Sequence, residues 1–141
     1  MTKDKKKAEL LRKILNKISS KVPGNSICAD CKAKYACWAS WNLGIFICVK
    51  CAGAHRGLGT HISRVKSVDL DEWNETEISV MQNIGNVNSN IAYENKLTIV
   101  EYNSIMNVSR DLFISKKYRE KIWLIDDYIA PERIPINTKF L

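Results

Sequence analysis

The chain has 141 residues, 45% of them hydrophobic and 26% charged, a balance that fits one soluble globular domain with a real core and is too short for two ordinary ones. Its longest apolar run, Leu43 to Val49, falls far short of a membrane span, and the lysine-rich start from Met1 to Lys7 has no apolar stretch behind it to form a signal peptide. The net charge of +7 divides into +6 over residues 1–21, +5 over 22–67 and −4 over 68–141, so the front half favours an anionic partner: nucleic acid, an anionic membrane or an acidic protein surface.

Ala8, Leu11, Ile14, Leu15 and Ile18 recur at three- and four-residue spacing, which predicts an amphipathic helix over residues 4–19 with a basic outer face. Such a helix either packs on the core with its lysines solvated or lies on an anionic membrane. Val22-Pro23-Gly24-Asn25 stops it. Next come Cys28-Ala29-Asp30-Cys31, sixteen residues, and Cys48-Val49-Lys50-Cys51. Each CxxC turn can aim two thiolates at one point, and the segment between them is long enough to run out and back as two strands. Trp38–Trp41 and Ile45–Cys48 supply those strands around Asn42-Leu43-Gly44. Four thiolates make a closed tetrahedral zinc site, structural rather than catalytic, and they require a reducing compartment, which points to the cytosol. Paired disulfides or free thiols are the alternative.

A short helix is expected from Cys51 to Leu58, with Gly53 and Gly57 leaving one side bare, followed by a third strand over Arg64–Val68. Asn74 and Glu77 have capping-box spacing for a helix ending at Gly85, with Ile78, Met81 and Ile84 inward. A further helix is predicted over Val87–Asn95 with Ile91 inward. Residues 96–108 are ambiguous because Thr98-Ile99-Val100 is β-branched in a segment without Gly or Pro. Ser109–Trp123 reads as helical, with Phe113, Tyr118 and Ile122 as core candidates. Pro131 and Pro135 end regular structure, which gives one domain over residues 1–130 and an exposed tail over 131–141.

The words from Cys28 through Trp38, Asn42-Leu43-Gly44-Ile45-Phe46, Gly53, His55-Arg56, Leu58-Gly59, His61-Ile62-Ser63-Arg64-Val65 and Leu70-Asp71-Glu72-Trp73 resemble the zinc-finger domain of Arf GTPase-activating proteins. The resemblance continues through Gly85-Asn86, Asn90, Tyr93-Glu94, Phe113-Ile114 and Lys117-Tyr118, and covers roughly residues 10–123. It implies an α+β fold: a small three-stranded sheet organised around a Cys₄ zinc finger and flanked by several helices. It also implies one structural Zn²⁺ on Cys28, Cys31, Cys48 and Cys51, and a GTP-bound Arf-family small GTPase as partner. Arg56 would be an arginine finger supplied in trans, the GTPase contributing nucleotide, magnesium and a water-orienting glutamine, so that no complete active site lies in this chain. Trp38, Val49, Arg64, Leu70 and Asp71 would form the partner surface. The implied setting is vesicle trafficking, in the cytoplasm and at Golgi or other endomembranes, with the basic first helix available to an anionic membrane.

Read from the residues alone, Trp38 serves equally as a partner contact or as core, Arg56 and Arg64 are surface arginines, and His55 and His61 are structural hydrogen-bonders beside a metal site already closed. Leu70 and Asp71 either contact the partner or brace Arg56. The sequence departs from the family pattern at Ala36, Cys37, Trp41 and Ala52, none of which removes a ligand or Arg56. Two rivals stand beside this reading. One is a nucleic-acid-binding zinc module of GATA-like spacing, disfavoured because Cys51–Leu58 offers only His55 and Arg56 as base-reading side chains. The other is a catalytically silent Arf-binding scaffold.

Overall fold

The computed structural model describes residues 3–129, with side chains from Asp4 onward. The expectations for residues 130–141 lie outside the described residues. The first helix, α1 (Lys3–Lys21), is followed by strands β1 (Trp38–Ser40) and β2 (Ile45–Ile47), helix α2 (Val49–Leu58) and strand β3 (Val65–Ser67). The rest is helical: α3 (Glu75–Asn83), α4 (Gly85–Tyr93), α5 (Ile99–Val108) and α6 (Arg110–Ile114), which runs into a π-helical segment over Ser115–Glu120. This is the expected α+β architecture. Among the described residues no helix is long and apolar enough to cross a membrane.

The sheet is antiparallel with strand order β2-β1-β3. Trp38 lies opposite Ile47 on one side and Ser67 on the other, while Ser40 lies opposite Ile45 and Val65. The period of two along these strands sends alternate residues to two separate cores. Ala39 and Phe46 face Leu11, Leu15 and Ile18 of α1 and Ile78 and Met81 of α3. Ile45, Ile47 and Trp38 face the four clustered cysteines, Leu58, Phe113, Ile114 and Tyr118. The sheet therefore separates the basic first helix from the cysteine-bearing half.

Two asparagines hold this arrangement from within. Asn86, buried in α4, accepts from Phe46 N at 2.7 Å and donates to Phe46 O at 3.0 Å, pairing with the outer edge of β2 as a neighbouring strand would. Asn86 N donates at 2.9 Å to Asn25 Oδ1, and Asn25 Nδ2 donates to Ile18 O at 3.0 Å, which ties α4 to the end of α1. Gly44, in the β1–β2 turn, has φ +73°, and a Cβ there would lie 2.6 Å from the Ile84 Cβ. Only glycine permits both that conformation and that approach.

Several elements differ from expectation. α1 extends to Lys21, and Ala8 is exposed rather than inward. α4 starts at Gly85 and turns Ser89 and Tyr93 inward, which leaves Ile91 57% exposed. Ile84 is only half-buried, because it lies at the α3–α4 junction against Gly44. The Thr98 side chain caps Glu101 N and Glu101 reciprocates, so the β-branched Thr98-Ile99-Val100 opens a helix instead of a strand. Lys121, at φ +56°, bends the chain after the π-helical segment; Trp123 is buried in place of Ile122, which is 45% exposed.

Candidate functional site

The metal centre is built by two local turns. In the first, Cys28 N donates to Ala33 O at 2.8 Å and Lys32 N to Cys28 O at 3.1 Å, folding Cys28 and Cys31 onto one side. In the second, Cys48 is the N-cap of α2 and its sulfur accepts from Cys51 N at 3.4 Å, so the knuckle and the helix start are one unit. The hairpin brings the pairs together. The sulfurs of Cys28, Cys31, Cys48 and Cys51 all lie within 4.8 Å of one another, with Cys31 and Cys48 3.5 Å apart. A metal held tetrahedrally by sulfur at about 2.3 Å needs ligand atoms about 3.8 Å apart, so the four residues fit such an ion. An all-sulfur donor set disfavours the hard cations that take oxygen ligands. Cys37 is exposed and lies outside the cluster.

Arg110, far away in sequence on α6, donates from Nη1 to Cys51 Sγ at 3.1 Å. Burial opposes its charge, but its hydrogen bonds to Cys51 and Cys31 outweigh that and raise its pKa above the usual arginine value. A thiolate cluster carries excess negative charge even when metal-bound, and a half-buried guanidinium compensates part of it.

Behind the centre lies a buried ionic network that sequence spacing did not indicate. Asp30, inside the first knuckle and 0% exposed, accepts from Lys117 Nζ at 2.9 Å and from the Tyr118 hydroxyl at 2.5 Å on Oδ1, while its Oδ2 lies 2.7 Å from His55 Nε2. Lys117, also fully buried, donates in addition to Asn90 Oδ1 at 2.8 Å and Glu94 Oε2 at 2.6 Å. Burial would push the Asp30 carboxyl up, but Lys117, His55 and Tyr118 overcome it and hold the group well below the usual carboxylate range. For Lys117, burial is likewise outweighed, by Asp30 and Glu94, and its pKa is raised. Breaking one member of such a buried set leaves an uncompensated charge and costs about 3–5 kcal/mol.

Arg56 projects from α2 into solvent, its guanidinium 5.0 Å from the centre of the Trp38 ring. Trp38 is half-buried: it packs against the cysteine-side core, as one of its two readings expects, and offers a face to Arg56. Gly53 and Gly57 are exposed, and a Cβ at either would meet nothing within 4 Å, so the bare side of α2 is open. Val49 points outward from the second knuckle at 62% exposure. Arg64 lies over Trp41 at 5.5 Å rather than on Arg56. Leu70 is 82% exposed in the turn after β3, and Trp38 pairs with Ser67 at the start of that turn. The Asp71 carboxylate accepts from Ser67 N at 2.7 Å; it braces the turn, not Arg56. His55 is a buried hydrogen-bonder as expected, whereas His61 is exposed with its ring packed on Gly59.

Comparison with known proteins agrees with this geometry. Residues 12–127 match the family model ArfGap, described as "Putative GTPase activating protein for Arf". Stromal membrane-associated protein 1 of Mus musculus is 46% identical over 106 residues, covering 75% of this chain and 24% of the relative. ADP-ribosylation factor GTPase-activating protein effector protein 2 of Saccharomyces cerevisiae is 50% identical over 113 residues, covering 74% of this chain and 36% of the relative. The chain thus matches only about a quarter to a little over a third of the length of these curated relatives. The solved ArfGap domain of HIV-1 Rev binding protein superposes with a TM-score of 0.73 at 25% identity, covering 92% of this chain and 96% of that one. This chain belongs to the ArfGap family.

Proposed function

We propose that this chain accelerates GTP hydrolysis on an Arf-family small GTPase by presenting Arg56 to the phosphates. One observation carries the reading: Arg56 is solvent-exposed, yet it stands on a helix whose first turn is a metal knuckle and its guanidinium rests on the Trp38 ring. As the γ-phosphate departs, negative charge moves toward the leaving oxygens. A permanently charged planar guanidinium neutralises it, an effect of about 10³–10⁵ in rate, or roughly 4–7 kcal/mol of barrier. The group is most effective when it is held in place before docking. Cys28, Cys31, Cys48 and Cys51 would hold one structural zinc, which closes the finger and supplies no open coordination position. The GTPase would bring the nucleotide, magnesium and the residue that orients water.

Trp38, Val49, Arg64, Leu70 and the open glycine side of α2 form the docking surface in this reading, with Asp71 shaping the Leu70 turn. The outward side of α2 offers Val49, Lys50, Gly53, Arg56 and Gly57, too few polar groups for base reading, which disfavours the nucleic-acid alternative. The basic face of α1 lies across the sheet from the cysteine-bearing half, so it could rest on an anionic membrane while Arg56 is engaged. The functional unit lies within residues 1–130 and acts in vesicle traffic on the cytoplasmic side of Golgi or other endomembranes.

Single-turnover GTP hydrolysis by a purified Arf-family GTPase, with and without this chain, tests the reading. The expected result is acceleration of at least about a thousandfold. Binding without acceleration would establish the silent scaffold instead.

A further inference from the structure

We infer that His55 is a positioning residue for Arg56, fixing the α2 turn that carries the arginine to several other parts of the fold at once. The inference rests on Arg56 being the catalytic arginine. His55 directly precedes Arg56 and is fully buried, while Arg56 is exposed. Its Nε2 meets Asp30 Oδ2 in the first knuckle at 2.7 Å, and its Nδ1 meets Ser63 Oγ, in the loop after α2, at 2.8 Å. Ser63 donates to Ser40 Oγ of β1 at 2.7 Å, and Ser40 donates to Asn42 Oδ1 at 3.1 Å. Asn42 Oδ1 also accepts Arg64 N at 2.7 Å, and Asn42 Nδ2 donates to Ile62 O at 2.9 Å.

The ring is bonded at both nitrogens, Nε2 to the Asp30 carboxylate and Nδ1 to the Ser63 hydroxyl. Asp30 is held from its other side by Lys117 and Tyr118, and the His55 ring lies tilted against Tyr118 with centroids 4.8 Å apart. The imidazole therefore cannot turn or slide without breaking bonds at both ends. An exposed cation–π contact such as Arg56 on Trp38 is too weak to order a long side chain alone. Its base must be fixed from the buried side of the helix. An apolar residue at position 55 could fill the same space but could not join the metal knuckle, the sheet and the following loop.

The test is His55→Gln in the otherwise intact, zinc-loaded chain, since one amide cannot serve both partners. We expect one zinc per chain to be retained. The order parameter of the Arg56 side-chain N–H, from ¹⁵N relaxation, should fall by about 0.2 or more while that of Arg12 is unchanged. In single-turnover hydrolysis the maximal rate should drop about tenfold or more, with the half-saturating concentration of the chain unchanged. An Arg56 as ordered as in the wild type, an unchanged maximal rate, or a loss confined to half-saturation would each overturn the assignment. If His55→Gln loses its metal, Ser63→Ala, which cuts only the Nδ1 arm, is read by the same measurements and the same criteria. Failure of the catalytic reading shows separately: Arg56→Lys would then keep the wild-type rate whatever the order parameter does.

Discussion

Cys28 and Cys37 belong to the same loop region and have opposite fates. Cys28 is buried with its sulfur in the four-thiol cluster, while Cys37 is exposed and outside it. Binding of a structural metal by such a cluster is worth on the order of 10–16 kcal/mol, comparable to the whole stability of a domain at about 5–15 kcal/mol. Cys28→Ala should therefore abolish zinc binding and cooperative melting, whereas Cys37→Ala should retain one zinc and nearly the wild-type Tm; equal damage from both would contradict the ligand set. Arg110 extends the centre beyond its own motif. Without the donor to Cys51, the thiolates lose part of their charge compensation, so Arg110→Met should release zinc to a chelator roughly 10–100 times faster. Release at the wild-type rate would reduce Arg110 to a packing residue.

At the level of elements, the local signals were legible, and so were the buried faces of α1 and α3 and the inward Phe113 and Tyr118, whereas the buried residues of α4 and of the turn after the π-helical segment were not. Asn74 and Glu77 announced α3, and the structure forms both bonds of the capping box. The two strands of the hairpin and the third strand follow from β-branched and aromatic residues set between turn signals. Ile91 and Ile122 looked like core because they are apolar, but Tyr93 and Trp123 fill the available space, and that depends on elements far away in sequence. Asp30 and Lys117 meet across 87 positions, a pairing that no periodicity encodes. It explains why the resemblance extended to Asn90, Glu94 and Lys117-Tyr118, which complete the network around the finger.

Helix α2 yields a prediction at the same scale. Gly53 lies mid-helix with open space around it, so Gly53→Ala should raise stability by about 0.5–1 kcal/mol, seen as a higher Tm. Gly53→Leu should fold equally well yet weaken association with the GTP-bound GTPase, because its side chain occupies the open side of α2. Unchanged affinity in Gly53→Leu would move the docking surface elsewhere.

Over the whole molecule, the sheet divides the labour. One face carries α1 and α3 over an apolar core, and the other carries the cysteines, the ionic network and α2. The four cysteines stand ready to close the finger on a metal, the ionic network packs behind them, and Arg56 is exposed in front with its guanidinium over Trp38. If the cytosolic leaflet attracts the basic α1, binding to vesicles containing phosphatidylserine should weaken steeply as salt rises, with neutral vesicles left unbound. Salt-independent binding would point to apolar insertion instead.

The central claim is that Arg56 acts in the transition state. Arg56→Lys keeps the charge and loses the planar fork that can reach two oxygens at once. Single-turnover hydrolysis should be measured at saturating concentrations of wild type and of Arg56→Lys, with zinc content and GTPase affinity confirmed for each. The account predicts that the lysine variant folds, binds zinc and docks, while its maximal rate falls by roughly 10³ or more. A variant retaining more than about a tenth of the wild-type maximal rate, a loss under ~1.4 kcal/mol of barrier, would contradict it.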